Sequence, residues 1–129
     1  MLNPSIVQHD LIDNTDYLPT IMEAAGIDIP PGFIMDGRSF YPQLTGKTGN
    51  PRDWIFFHFE PMNDRTGPGQ QFVNQRFIRD HRWKLYEDGR LFDLKSDLEE
   101  EEPWFEEDDN SIRGAAREKL EPVFSQMVT

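Results

Sequence analysis

The sequence predicts an α+β fold: a four-stranded antiparallel sheet with a C-terminal helix packed on it, preceded by an N-terminal helix. Three observations support this. The middle of the chain holds four short segments rich in aromatic and β-branched residues, which is typical of strands. An Asp-Gly pair separates the last two segments and favours a hairpin. Residues 111–127 carry apolar side chains at helical spacing.

The composition indicates one globular domain with a modest core. The chain has 129 residues, of which 36% are hydrophobic, and its ten Phe, three Trp and three Tyr supply bulky core material. It contains no cysteine, which excludes disulfides, thiol nucleophiles and Cys-ligated zinc within it. No segment is apolar enough to cross a membrane, and residues 1–10 lack the features of a signal peptide.

The negative charge is concentrated in one segment. Residues 97–109 hold nine acidic and no basic residues, so the formal charge of -11 falls to -2 when this segment is removed (15 acidic and 13 basic residues). We interpret the segment as a solvated acidic loop. A cation site is the alternative, but the spacing lacks the Gly and terminal Glu of a Ca²⁺-binding loop.

The first helix is predicted at residues 17–25. Asp16 or Thr15 is its expected N-cap, Pro19 fits in the first turn and Gly26 ends it. Four apolar residues recur at helical spacing and form one face: Leu18, Ile21, Met22 and Ala25. This face predicts a helix that packs on a core.

A connector rich in Pro and Gly follows. It contains a predicted turn at Asp36–Gly37, and Ser39 is expected to cap a short helix over Phe40–Leu44.

The four strands are predicted at residues 54–60, 71–80, 82–87 and 90–94, as an antiparallel meander. Alternation divides the first strand into two faces: Ile55, Phe57 and Phe59 on one, and Trp54, Phe56, His58 and Glu60 on the other.

The C-terminal helix is predicted at about residues 111–127. Its apolar face consists of Ile112, Ala115 or Ala116, Leu120, Val123 and Phe124. Gly114 should weaken the helix, and Pro122 should kink it or split off the last turn.

The residues alone predict no self-contained active site. His9, His58 and His81 show no metal-binding spacing, and the serines lack the setting of a nucleophile. His58 and Glu60 lie two apart on one strand face, so they could share a pocket, although such a pair is more often a surface contact.

Nucleic-acid binding is a further alternative, because basic and aromatic residues interleave in the strands: Arg76, Arg79, Arg82, Lys84 and Arg90 with Phe77, Trp83 and Tyr86. An overall pI of about 4.5 opposes the approach of phosphates. Charged side chains on the solvent face of a sheet explain the pattern equally well, so no nucleic-acid partner is expected.

Several segments together resemble the C-terminal region of type I sulfatases, the arylsulfatase-like enzymes. They are "DYLPTIMEAAGI", "DGRSFYPQLTG", "RWKLYEDGRLFDL" and "SDLEEE", in the family's order and spacing. The resemblance runs from about residue 7 to about residue 127. Leu98 stands where the family usually has Pro, and the acidic extension after it is unusual.

The resemblance implies the C-terminal part of an alkaline-phosphatase-like sulfatase fold. Residues 1–50 would be the tail end of the catalytic domain with a connector, and residues 51–129 the C-terminal subdomain. Calcium and formylglycine are expected in the missing catalytic domain. This chain lacks the Cys/Ser-x-Pro-x-Arg nucleophile motif, so we expect it to be inactive alone, with no catalytic or metal-binding residues.

In the family, this region is a scaffold that in many members also forms part of the substrate pocket wall. His58, Glu60 and Arg65, at the end of the first strand and in the loop after it, are the predicted substrate-lining residues. The expected partner is the missing catalytic domain. Without it, the first helix and one sheet face would expose apolar surface, which favours a homo-oligomer.

The alternative is a stand-alone, non-enzymatic protein-interaction module derived from a sulfatase.

Intact family members are often periplasmic or secreted.

Overall fold

The computed structural model describes residues 7–60 and 74–128. Its helices are α1 (Tyr17–Ala25), α2 (Tyr41–Leu44) and α3 (Ser111–Met127), and its strands are β1 (Ile55–Phe59), β2 (Gln75–Arg79), β3 (Trp83–Tyr86) and β4 (Leu91–Asp93). The strands form one antiparallel sheet in the order β1-β2-β3-β4, which confirms the predicted α+β class. The chain divides into two compact units, residues 1–53 and 54–129.

The sheet register places one apolar row beneath α3. Phe56 pairs with Ile78, Ile78 with Leu85, and Leu85 with Leu91. Residues directly opposite each other share a face, so this row points to one side of the sheet. Ala116 and Leu120 of α3 close the core on that side.

The predicted second strand, residues 71–80, is longer than β2. Residues 71–73 lie outside the described part of the chain, and β2 ends at Arg79 because Asp80 turns the chain. The Asp80 Oδ1 atom accepts hydrogen bonds from the backbone N–H groups of Arg82 (2.8 Å) and Trp83 (2.7 Å).

One expectation for α3 is wrong. Ile112 is exposed, because it lies in the first helical turn and the buried positions begin one turn later at Ala116. Of the two effects predicted for Pro122, the splitting of the last turn does not occur, since the helix continues to Met127, and a kink stays a prediction. The carbonyl that loses its partner to Pro122 belongs to Glu118, an exposed residue, so water can replace the missing donor.

Arg117 of α3 ties three segments of the second unit together. It is 4% exposed, and its Nε donates to Asp109 Oδ2 at 2.7 Å. Its other two nitrogens donate to the carbonyls of Gly89 and Trp104, each at 2.7 Å. A buried charge is stable only when it is paired and hydrogen-bonded, and this guanidinium meets both conditions.

The first unit has a polar interior. Among residues 7–53, the buried side chains are Asp16, Pro19, Thr20 and Gln43. The Thr20 hydroxyl donates to the Asp16 carbonyl (2.6 Å) and accepts from the Phe40 N–H (3.0 Å). Hydrogen bonds between segments that are distant in the sequence therefore hold this unit together.

Asp16 is the centre of that network, and it is the N-cap residue of α1, as predicted. Its carboxylate makes no capping bond to α1, but Oδ2 accepts the Asp13 N–H at 2.9 Å in the capping box of the preceding 3-10 turn. Oδ2 also accepts from Arg52 Nε at 2.7 Å, and Oδ1 accepts from the Arg38 N–H at 2.8 Å. Asp13 supplies the cap, at the start of a 3-10 turn over Asn14–Asp16.

The apolar face of α1 does not lie in a core within the described residues. Leu18 is 51% exposed and Ile21 is 64% exposed, whereas the buried residues of the helix are Pro19 and Thr20. The predicted core-packing role of this face is therefore not fulfilled within the described chain.

The predicted turn at Asp36–Gly37 is also absent, and the chain turns at Pro31–Gly32 instead. Gly37 serves a different purpose, because a Cβ atom there would lie 1.9 Å from the carbonyl oxygen of Thr15. Only glycine permits this close approach of two backbone segments.

We predict that Arg117→Met lowers the free energy of unfolding of the second unit by about 3–5 kcal/mol, because it removes a buried cation and leaves the partly buried Asp109 carboxylate without its partner. Urea unfolding followed by tryptophan fluorescence measures this change. Glu118→Gln, at an exposed position on the same helix, should stay within about 0.5 kcal/mol of wild type. Equal effects of the two substitutions would contradict this role of Arg117.

A second prediction concerns the titration of Asp16. Burial alone would raise the pKa of its carboxyl, but hydrogen bonds from Arg52, Arg38 and Asp13 outweigh burial and lower the pKa below its usual 3.8. The stabilisation is therefore complete above about pH 4 and is lost as the pH falls through the folded-state pKa. In Arg52→Met, burial should dominate and the titration midpoint of Asp16 should rise.

Carbon-13 NMR of the Asp16 carboxyl group measures that midpoint directly. Asp28→Asn, at an exposed residue of the same unit, is the control and should not move it. An unchanged midpoint in Arg52→Met would show that Arg52 does not set the charge of Asp16.

Candidate functional site

A polar row lies at the end of the sheet, directly beyond the buried row under α3. His58 of β1 stands opposite Arg76 of β2. The N–H of Glu87 donates to the Arg76 carbonyl at 3.0 Å, which places Glu87 beside Arg76 just after β3. Because side chains alternate along a strand, His58, Arg76 and Glu87 project on the same face as the buried row.

The structure brings two of the three predicted substrate-lining residues together. His58 Nε2 lies 3.6 Å from Glu60 Oε2, and their side chains are 39% and 64% exposed. They form a solvent-facing pair where β1 ends. Arg65, the third, lies outside the described residues.

A cleft opens beside the polar row, between the start of β2 and the β3–β4 turn. Its volume is about 430 Å³. We call it the polar cleft, and its lining residues are Asn74, Gln75, Arg76, Tyr86, Glu87, Asp88 and Arg90.

Two ion pairs fix the charged groups of the polar cleft. Arg76 Nη1 donates to Glu87 Oε1 at 3.1 Å, and Arg90 Nε donates to Asp88 Oδ2 at 2.8 Å. The Arg90 guanidinium also lies 4.4 Å from the centre of the Tyr86 ring, within the range of a cation–π contact. The positive and negative charges of these pairs balance.

The other basic residues of the strands also have partners within the chain. Arg82 forms a two-pronged contact with Asp93 (2.9 and 2.7 Å), which lowers the pKa of that carboxyl. Lys84 Nζ lies 2.5 Å from Glu100 Oε1, and Arg79 Nε donates to a backbone carbonyl. The basic and aromatic pattern therefore reflects ion pairs that stabilise the sheet and its neighbouring segments.

The sequence predicted a solvated loop for the acidic segment, but some of its carboxylates make specific contacts. Glu100 accepts hydrogen bonds from Lys84 and from the Tyr86 hydroxyl (2.6 Å), although its backbone lies in the left-handed region with φ 59°. Asp97 accepts the N–H groups of Glu101 and Glu102 at 2.9 and 3.0 Å. The Glu100 contacts hold the segment against β3, and the Asp97 contacts fold the segment on itself.

Sequence reasoning missed Arg76, Glu100 and Arg117 as organising residues. No local signal identifies them, because each acts on a partner that only the sheet register or a long-range contact brings close.

The described residues contain no group of three or more His, Cys, Asp or Glu that could hold a metal ion. Over the same ranges, no helix is long and apolar enough to cross a membrane.

Comparison with family profiles identifies one family. Residues 1–126 match the family profile described as N-sulphoglucosamine sulphohydrolase, C-terminal. An ulvan-active sulfatase from Formosa agariphila is 33% identical over 84 residues, which are 65% of this chain and 16% of that protein.

Two solved structures share the fold. One, a protein in complex with its substrate D-glucosamine-2-N,6-O-disulfate, superposes with a TM-score of 0.66 and 20% identity, over 87% of this chain and 23% of the other. The second is a 2-O GAG sulfatase, with a TM-score of 0.59 and 22% identity, over 86% of this chain and 24% of the other. The chain thus spans a quarter or less of the length of these relatives.

Proposed function

The chain belongs to the family of N-sulphoglucosamine sulphohydrolase C-terminal domains, and from this we propose that it is the C-terminal part of a sulfuric ester hydrolase. Its role in that enzyme is structural, with a contribution to the substrate pocket. By itself it is inactive.

The exposed apolar surface of the first unit carries this proposal. Besides Leu18 and Ile21 of α1, large apolar side chains are exposed along the connector: Ile27, Ile29, Phe33 and Ile34. So many large exposed apolar side chains in one short unit indicate an interaction surface, and the buried side chains of this unit are largely polar. The matched segments make up only 16%, 23% and 24% of the relatives' lengths, so the occupant we propose is the catalytic part of the same enzyme.

The chemistry of sulfate-ester cleavage is assigned to that catalytic part. The resemblance to sulfatases implies a formylglycine nucleophile and a calcium ion. The chain has no cysteine and no Ser-x-Pro-x-Arg sequence from which formylglycine could form. Among residues 7–60 and 74–128, no group of three or more His, Cys, Asp or Glu could hold the metal ion.

The substrate-facing part of the proposal rests on the end of β1. His58 and Glu60, with Arg65 in the following segment, line the wall of the substrate pocket. An imidazole, a carboxylate and a guanidinium together offer donors and acceptors for the hydroxyl and sulfate groups of a sulfated saccharide. The relatives support this class of substrate, because one was solved with a sulfated glucosamine and another is a GAG sulfatase.

The alternative is a stand-alone interaction module. The same exposed apolar surface supports it, because an unpaired apolar face also favours association with another protein or a second copy.

We predict that the chain alone does not hydrolyse 4-nitrophenyl sulfate or a sulfated glucosamine, whereas a longer protein that includes a catalytic domain does. In the longer protein, His58→Ala and Glu60→Gln should raise KM for the sulfated saccharide on the order of tenfold and change kcat little, because they remove binding present in both ground and transition states. His81→Ala, at an exposed turn, is the control. Sulfatase activity of the chain alone would overturn the proposal.

We further predict that the isolated chain self-associates through the exposed face of α1. Ile21→Lys should shift sedimentation toward the monomer, because a charged side chain cannot be buried in an apolar contact at low cost. Glu23→Lys adds a lysine to the opposite side of the helix and should leave the assembly intact. Equal behaviour of the two variants would exclude this face as the contact.

A further inference from the structure

We infer that the polar cleft is a saccharide-binding site that accepts a sugar bearing an anionic group. This inference rests on the proposed function, since it identifies a second contact for the same substrate. Neither His58 nor Glu60 lines the polar cleft, so the cleft is a separate site. The resemblance to sulfatases assigns no role to the residues that line it.

The chemistry of the lining suits a sugar. Six of the seven lining residues have planar polar side chains, two amides, two guanidiniums and two carboxylates, and the seventh is Tyr86. Each planar group presents two neighbouring hydrogen-bonding atoms, which is the arrangement that adjacent ring hydroxyls require. A volume of about 430 Å³ lies in the usual range of small-molecule sites.

The charged groups are held in place before a ligand arrives. The Tyr86 ring supports the Arg90 guanidinium, and Asp88 accepts both the side-chain Nε–H of Arg90 (2.8 Å) and its backbone N–H (3.2 Å). Tyr86 is itself fixed by its hydroxyl contact with Glu100. Side chains ordered in advance lose less conformational entropy when they bind.

The local charge permits an anionic sugar despite the acidic chain. Arg76 and Arg90 offset Glu87 and Asp88, so the cleft is neutral although the chain carries a formal charge of -11. A guanidinium has five N–H donors, and the ion pair of each arginine uses only part of this set. The other donors can bind a sulfate or carboxylate oxygen on the sugar.

The position of the cleft links it to the proposed substrate wall. Arg76 lines the cleft and also stands directly opposite His58 across the β1–β2 ladder. A saccharide of more than one ring could therefore contact the end of β1 with one sugar and the polar cleft with the next.

Binding of D-glucosamine-2-N,6-O-disulfate to the whole chain tests the inference, with glucosamine as the unsulfated probe. Nitrogen-15 NMR titration should show saturable shifts at the amides of Asn74, Gln75 and Gly89. Arg76→Gln should weaken binding about tenfold, as expected when a charge-assisted hydrogen bond is lost. Asn74→Ala, which leaves both ion pairs intact, should weaken it severalfold.

Arg79→Gln is the matched control, because it removes the same charge from the same strand but on the opposite face of the sheet. It should bind within about twofold of wild type. Equal weakening in Arg76→Gln and Arg79→Gln, or shifts without saturation, would overturn the inference.

Different results would reject the proposed sulfatase function and the proposed saccharide site in the polar cleft. Sulfatase activity in the longer protein, together with no saccharide binding at the cleft, would reject only the cleft. Saturable binding by the chain with no sulfatase activity in the longer protein would reject the proposed function and leave a saccharide-binding module.

Discussion

The buried carboxylate of Asp16 organises the first unit of this protein. It draws together the start of α1, the connector at Arg38 and the distant Arg52, and a buried carboxylate needs such partners to stay charged. The interior of this unit is consequently polar, and apolar side chains such as Leu18 and Ile21 face outward. That inverted distribution is the physical basis of the proposal that another part of the enzyme covers this unit.

The second unit has the opposite organisation. Its sheet and α3 enclose an apolar core, and Arg117 joins the helix to the β3–β4 turn and to the acidic segment. A rigid sheet of this kind positions polar side chains reproducibly at its end. The polar row with His58 and the polar cleft with Arg90 both depend on that support, so stability and the proposed substrate contacts arise from the same register.

The sequence predicted the elements better than the contacts between them. Strand composition and the Asp-Gly pair before Arg90 are local signals, and the sheet formed as expected. The role of Asp16 depends on Arg52, which is 36 residues away, and local capping rules cannot identify such a partner. Alternation predicted that His58 and Glu60 share a face, but the neighbour Arg76 follows only from the pairing of β1 with β2.

The central claim is that a catalytic part of the same enzyme covers the apolar face of α1. Amide hydrogen exchange of residues 17–25, in this chain and in a longer protein that includes a catalytic domain, tests it most directly. We predict that exchange in α1 slows on the order of a hundredfold in the longer protein, because burial of the face raises the free energy of local opening by about 3 kcal/mol. Equal exchange rates in the two proteins would contradict it.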